Sequence, residues 1–152
     1  CIRDSRKIVS KTIEKLQLTD FAFRRFDRLS GGERQRVIIA KAVAQEPNIF
    51  LFDEPTSDLD LKNQIEVMKE LRKIVSEENG KAALIAIHDI NVASRFSDRI
   101  ILLHEGKIIS NGKPSDVLTP ENIELVFEVT SRQLVDEDGI LRIFINDEIT
   151  KD

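Results

Sequence analysis

The chain has little of several things, and each shortage narrows what it can be. Cys1 is the single cysteine in 152 residues, so no internal disulfide can staple the fold, which fits a reducing compartment. No apolar run approaches the roughly 20 residues that a membrane-spanning helix needs, so any membrane association goes through a partner. Positive charge is not in excess: 23 basic side chains stand against 27 acidic ones, a net charge of −4. That leaves no global electrostatic case for nucleic acid, and none is expected as a partner. Glycine is scarce, and the first, Gly31, comes late. A phosphate-binding loop of the form G-x-x-x-x-G-K-[ST] occurs nowhere. Beginning on Cys1 rather than Met suggests a piece of a longer protein. What remains, 41% apolar and 33% charged residues, is ordinary for one globular domain.

Two stretches carry chemistry. In Leu29-Ser30-Gly31-Gly32-Glu33-Arg34-Gln35-Arg36-Val37 a loop turns into a helix. Two glycines at a helix mouth leave backbone N–H groups uncovered, and with the positive end of the helix dipole they suit an anionic oxygen. Ser30 adds a hydroxyl at the same spot. Ser30 and Glu33 also form an S-x-x-E capping box, which starts many helices with no ligand involved. The second stretch, Ile49-Phe50-Leu51-Phe52, is an unbroken apolar run, the pattern of a parallel strand buried on both faces. It delivers Asp53 and Glu54 at its C-terminal end, where open α/β sheets bind their ligands. A strand leaving the core before a proline looks the same.

Together these residues resemble the ATP-binding-cassette (ABC) ATPase family. Residues 29–35 are similar to its signature sequence and residues 49–54 to its Walker B strand. Ser57-Asp58-Leu59-Asp60 resembles its D-loop, with Asp58 a departure, and Ile87-His88-Asp89 resembles its switch-histidine loop. All four fall in the family's order. The resemblance implies an α/β fold: a P-loop NTPase-like, mostly parallel sheet with flanking helices, incomplete because the phosphate-loop half is absent. Residues 1–45 would be part of the helical subdomain with the signature, 46–113 a portion of the catalytic core, and 114–152 a C-terminal extension.

The remaining chain reads in the same frame. Apolar residues at Ile8, Val9, Ile13, Leu16 and Leu18 predict an amphipathic helix over residues 5–18. Phe21, Phe23 and Phe26 read as local core. The helix from Gly31 to about Gln45 is expected to bury Val37, Ile38, Ala40 and Val43, and the helix over 61–76 to bury Ile65, Val67, Met68, Leu71, Ile74 and Val75, with Met68 as a gap-filler. Residues 82–87 form a second apolar strand, giving a parallel βαβ unit, with His88 at its carboxyl end. A lone histidine after a strand is usually a hydrogen-bonded structural residue. A helix over 90–96, strands over 99–103 and 107–110, helices over 114–118 and 120–129, and a hairpin around Asp138-Gly139 follow. His104 matches no motif. Residues 112–129 are similar to importers of iron chelates, haem or cobalamin.

By this resemblance Ser30, Gly31 and Gly32 contact the γ-phosphate of an ATP held by the opposite subunit, and Gln35 and Asp60 belong to the same nucleotide site. Asp53 holds Mg²⁺, Glu54 accepts the proton of the attacking water, and His88 aligns that water. The implied parent is the ATP-hydrolysing subunit of a transporter, most simply a prokaryotic importer. It works with a second nucleotide-binding domain, as homodimer or heterodimer, and with integral membrane permease subunits on the cytoplasmic face of the membrane. The alternative is a non-transport relative serving DNA repair or translation. The piece alone is expected neither to hold nor to hydrolyse ATP.

Overall fold

A computed structural model describes residues 2–57, 59–77 and 80–149, with side chains from residue 5 onward. Asp58, singled out in the sequence, lies outside the described residues. The chain divides into two compact units, Cys1–Ile87 and His88–Asp152.

The first unit opens with helix α1 (Ile2–Lys15), two single turns of 3-10 helix (Thr19–Phe21 and Phe26–Arg28) and helix α2 (Gly31–Val43). Strand β1 (Ile49–Asp53), helix α3 (Leu61–Glu77) and strand β2 (Ala82–Ala86) follow. The two strands pair in parallel, in register from Ile49 opposite Ala82 to Asp53 opposite Ala86. Parallel neighbours cannot be joined by a tight turn, and α3 is the crossover, so the expected βαβ unit is present. Helix α2 packs against both α1 and α3. Leu16, Leu18, Leu29, Ile39 and Val43 are buried in the helical part, and Phe50, Val67, Met68, Leu71 and Ile74 around the strands.

Three expectations are corrected here. Strand β1 is not buried on both faces: Phe50 is 3% exposed, whereas Ile49 and Leu51 are 65% and 74% exposed. Successive side chains of a strand point to opposite faces, and among the described residues only one face of the β1–β2 pair is covered. In α2 it is Ile39, not its neighbour Ile38, that turns inward, a rotation of 100° that two adjacent isoleucines do not announce. Phe21 is half-buried, but Phe26 lies exposed and Phe23 wholly so, because the short turns that carry them have no apolar face to bury.

Helices α2 and α3 are also tied by charge. The Arg36 guanidinium donates to Glu66 Oε2, and its Nε lies 3.6 Å from Glu70 Oε1. The other Glu70 oxygen is buried with no hydrogen-bond partner. Burial pushes the Glu70 carboxyl above its ordinary value of 4.5, with Arg36 pulling the other way and Glu66 adding to the rise. The folded protein thus holds this proton more tightly than the unfolded chain does, and stability falls as pH rises through the window just above 4.5. Glu70→Gln is therefore expected to raise the melting temperature near neutral pH, with the gain vanishing below about pH 4. A pH series of thermal melts checks this; a lower melting temperature at neutral pH would give the attraction to Arg36 the larger share.

The second unit contains helix α4 (Ile90–Phe96), the antiparallel hairpin of β3 (Ile100–His104) and β4 (Lys107–Gly112), helices α5 (Pro114–Val117) and α6 (Pro120–Phe127), and a second hairpin of β5 (Val129–Val135) and β6 (Leu141–Glu148). The first hairpin turns on Glu105 and Gly106, at φ 47° and 74°, the doubly left-handed turn that matches strand twist. Leu118, Ile123, Leu141 and Ile143 form the core of this second unit. Asn91 fixes α4 to β6 twice over: its Nδ2 donates to the Ile143 carbonyl at 3.0 Å and its Oδ1 accepts from the Ile143 N–H at 2.8 Å. The hairpin expected around Asp138-Gly139 is present with longer strands. Its loop is held by Asp136, which accepts from the N–H groups of Asp138 and Ile140 and from Arg142.

Candidate functional site

The start of α2 is built by its sequence. Ser30 is the N-cap: its Oγ accepts from the Glu33 N–H at 3.3 Å, and its own N–H donates to Glu33 Oε2 at 2.7 Å. Both arms of the capping box are thus closed. The bond from the Ser30 backbone, with help from its hydroxyl and from Arg24 and Arg36, holds the Glu33 carboxyl below its ordinary range. Arg34 donates to the Asp27 carbonyl at 2.9 Å and ties the helix to the preceding turn. Gly31 is exposed at the helix mouth, Gln35 is half-buried one turn on, and Gly32 is buried. The cause is a close neighbour: a Cβ at Gly32 would lie 2.8 Å from Asn63 Oδ1 and 2.9 Å from its Cγ.

At the carboxyl end of β1, Asp53 and Glu54 are both exposed. The Glu54 N–H donates to the Ala86 carbonyl at 3.0 Å, continuing the ladder one residue past the strand. Glu54 then turns at φ 43°, the left-handed region that non-glycine residues enter only at a cost. Its carbonyl accepts from both the N–H and the hydroxyl of Ser57, at 3.1 and 3.0 Å. Pro55 and Thr56 are buried beneath the turn.

Asp60 begins α3. Its Oδ1 accepts from the Asn63 N–H at 2.8 Å and its Oδ2 from Asn63 Nδ2 at 2.9 Å. Gln64 Nε2 donates to the Leu59 carbonyl at 3.0 Å and the Thr56 carbonyl at 3.4 Å, pinning the loop that leaves Glu54. The first unit thus sets Asp53 and Glu54 at the end of β1 and Asp60 before α3, where Asn63 grips Asp60 and lies against Gly32. His88 opens the second unit, exposed, one residue before Asp89, which caps α4 by accepting from the N–H groups of Asn91 and Val92.

Asn63 and Gln64 were not singled out in the sequence. The signal that could have found Asn63 is the D-x-x-N spacing from Asp60, a side-chain cap with its reciprocal partner. Among the described residues no cluster of three or more His, Cys, Asp or Glu could hold a metal. Magnesium bound through a single carboxylate, with waters and phosphate oxygens completing its shell, needs no such cluster, and the exposed Asp53 suits that limited role. No described helix is long and apolar enough to cross a membrane.

A parallel strand pair joined by a crossover helix, with a capped, glycine-opened helix packed on that crossover, makes the first unit an α/β one. Residues 3–57 match the family described as ABC transporter. The iron(3+)-hydroxamate import ATP-binding protein of Bacillus subtilis is 38% identical over 133 residues, which is 88% of this chain and 49% of that protein. Among solved structures, a metal-chelate type ABC transporter in an inward-facing conformation superposes with a TM-score of 0.82 at 29% identity, over 92% of this chain and 56% of that one. A dimeric ATP-binding cassette bound to ADP and Pi superposes with a TM-score of 0.61 at 42% identity, over 72% and 47%. The chain belongs to the ABC transporter ATPase family. It spans about half the length of the curated relatives it matches.

Proposed function

We propose that this chain is the signature- and hydrolysis-bearing portion of the ATP-binding subunit of an importer for an iron complex or similar solute. It acts with a second nucleotide-binding domain and with integral permease subunits at the cytoplasmic face of the membrane. Residues 1–45 present the signature, 46–113 the catalytic portion, and 114–152 extend it. The observation that supports this reading best is the convergence on the start of α3: Gly32 meets Asn63 there, Asn63 grips Asp60, and Gln64 holds the Thr56 carbonyl two residues after Glu54.

In this reading Ser30, Gly31 and Gly32 direct the helix dipole, backbone N–H groups and a hydroxyl at the γ-phosphate of ATP bound by the opposite subunit. Gln35 and Asp60 lie on the same nucleotide side. Asp53 orients Mg²⁺, which when bound neutralises charge on the phosphate oxygens. Glu54 takes the proton of the attacking water, and His88 aligns it. The 152-residue chain supplies these groups but no phosphate-binding loop, so by itself it holds Mg-ATP weakly.

Phosphate release by the full-length protein with Mg-ATP tests the reading. Ser30→Arg places bulk and charge where the γ-phosphate fits, and is expected to lower the rate by about 10²-fold or more. Equal release by Ser30→Arg and the wild type would remove α2 from the nucleotide site.

A further inference from the structure

Resting on the ATPase reading above, we infer that Arg36 is a positioning residue: bridged to Glu66 and Glu70, it fixes the aim of the α2 start at the nucleotide of the opposite subunit. Its guanidinium lies between two carboxylates of α3 that are one helical turn apart. Nη2 donates to Glu66 Oε2, and Nε lies 3.6 Å from Glu70 Oε1. One rigid fork thereby engages two turns of the neighbouring helix, which a point charge does poorly. Lys62 continues the row, with its Nζ 3.8 Å from Glu66 Oε1. Within α2 the same charge reaches the cap: the Glu33 carboxyl, held low first by the Ser30 backbone and then by its hydroxyl, also feels Arg36.

The two helices are not anchored alike. α3 joins β1 to β2, which are paired along their length, so its axis is tied to the sheet at both ends. α2 follows two single turns of 3-10 helix, and its Gly31 mouth is exposed. Its rotation about its own axis is set by what it packs against. Rotation matters, because backbone N–H groups and a hydroxyl serve an anion only when they point at it. For stability alone the bridge is a poor device. The Arg36 and Glu70 side chains are only 18% and 19% exposed, and the second Glu70 oxygen is buried with no hydrogen-bond partner. Buried ion pairs of this kind are often replaced by apolar side chains of similar size with no loss of stability, or with a gain. What apolar side chains do not supply is a directed contact that selects one rotation of α2.

The test uses the full-length protein with Arg36→Met and Glu70→Leu together, which removes the bridge without stranding a buried charge. Glu66, the more exposed carboxylate, keeps Lys62. The melting temperature is expected to stay within a few degrees of the wild type, while kcat for Mg-ATP falls about tenfold or more. In a Glu54→Gln background the double variant should need about tenfold more ATP to form a dimer on size exclusion. Trinitrophenyl-ATP should still bind the separate subunit as tightly as before, because in this reading the α2 start serves the other subunit's nucleotide. Arg36→Lys keeps the charge but not the fork, is expected to lower kcat in the same direction, and decides the matter should the double variant fold poorly. Wild-type kcat in a folded double variant or in Arg36→Lys would overturn the inference. So would a loss of trinitrophenyl-ATP binding as large as the loss of dimer, which would mean damage to the whole fold. A wild-type protein that neither hydrolyses ATP nor dimerises with it would sink the ATPase reading, and the aim assigned to Arg36 with it, before any substitution is made.

Discussion

Glu54→Gln in the full-length protein is expected to lower steady-state ATP hydrolysis by about 10²- to 10⁴-fold, the contribution typical of a positioned general base, while ATP still binds. Glutamine keeps the size and the hydrogen-bonding tip of the side chain but cannot accept a proton. The backbone around residue 54 has its own supports, the Ala86 carbonyl before the turn and Ser57 after it, so the substitution leaves the turn in place. Because the nucleotide lies between two subunits in this reading, blocking hydrolysis without blocking binding accumulates a nucleotide-bound dimer. Size-exclusion chromatography with Mg-ATP should show it for Glu54→Gln and not for Ser30→Arg. Equal hydrolysis by Glu54→Gln and the wild type would remove Glu54 from the mechanism.

The second large effect concerns the 152-residue chain on its own, which is expected to self-associate increasingly with concentration. Leu51 and Leu84 are register partners across the parallel pair and stand 74% and 58% exposed, with Ile49 beside them. Among the described residues β2 is hydrogen-bonded to β1 alone, so an apolar face and a strand edge are open together, the combination that invites edge pairing. In the other unit Leu103 and Ile108 leave the β3–β4 hairpin similarly bare. Light scattering should report a mass that climbs with concentration, and Leu51→Lys with Leu84→Lys should hold it down. Supplying the remaining half of the domain in trans is expected to cover these surfaces and restore hydrolysis that depends on Glu54. A wild-type chain that stays monomeric at high concentration and ignores the other half would overturn this.

Much of the arrangement was legible because its determinants are local. The Ser30–Glu33 box, the helix over 90–96 and the hairpin around Asp138-Gly139 each depend on neighbours a few residues away, and each is present. What stayed hidden depends on distant partners. The run 49–52 is apolar throughout, so its pattern could not say that Ile49 and Leu51 stand open while Phe50 is covered. Ile38 and Ile39 differ only in helical phase, and phase is set by what α2 packs against. Gly32 reads as room for a ligand, and only the fold brings Asn63, thirty-one positions on, into contact with it. The site residues show the same division. Motif spacing named Asp53, Glu54 and Asp60 but not Asn63, which grips Asp60, or Gln64, which holds the Thr56 and Leu59 carbonyls.

The left-handed turn at Glu54 has an evolutionary consequence. A glutamate at φ 43° costs about 1–2 kcal/mol relative to a residue at ease there, and glycine or asparagine would relieve it. Stability alone therefore pulls this position away from glutamate, and the general-base role proposed for its carboxylate is what would hold it. In a duplicated copy released from hydrolysis, position 54 should be among the earliest to drift, and it should drift toward glycine or asparagine. If the proposed hydrolysis holds, descendants that have lost it would carry that change as their first visible mark, while the capped helix at Ser30 persists.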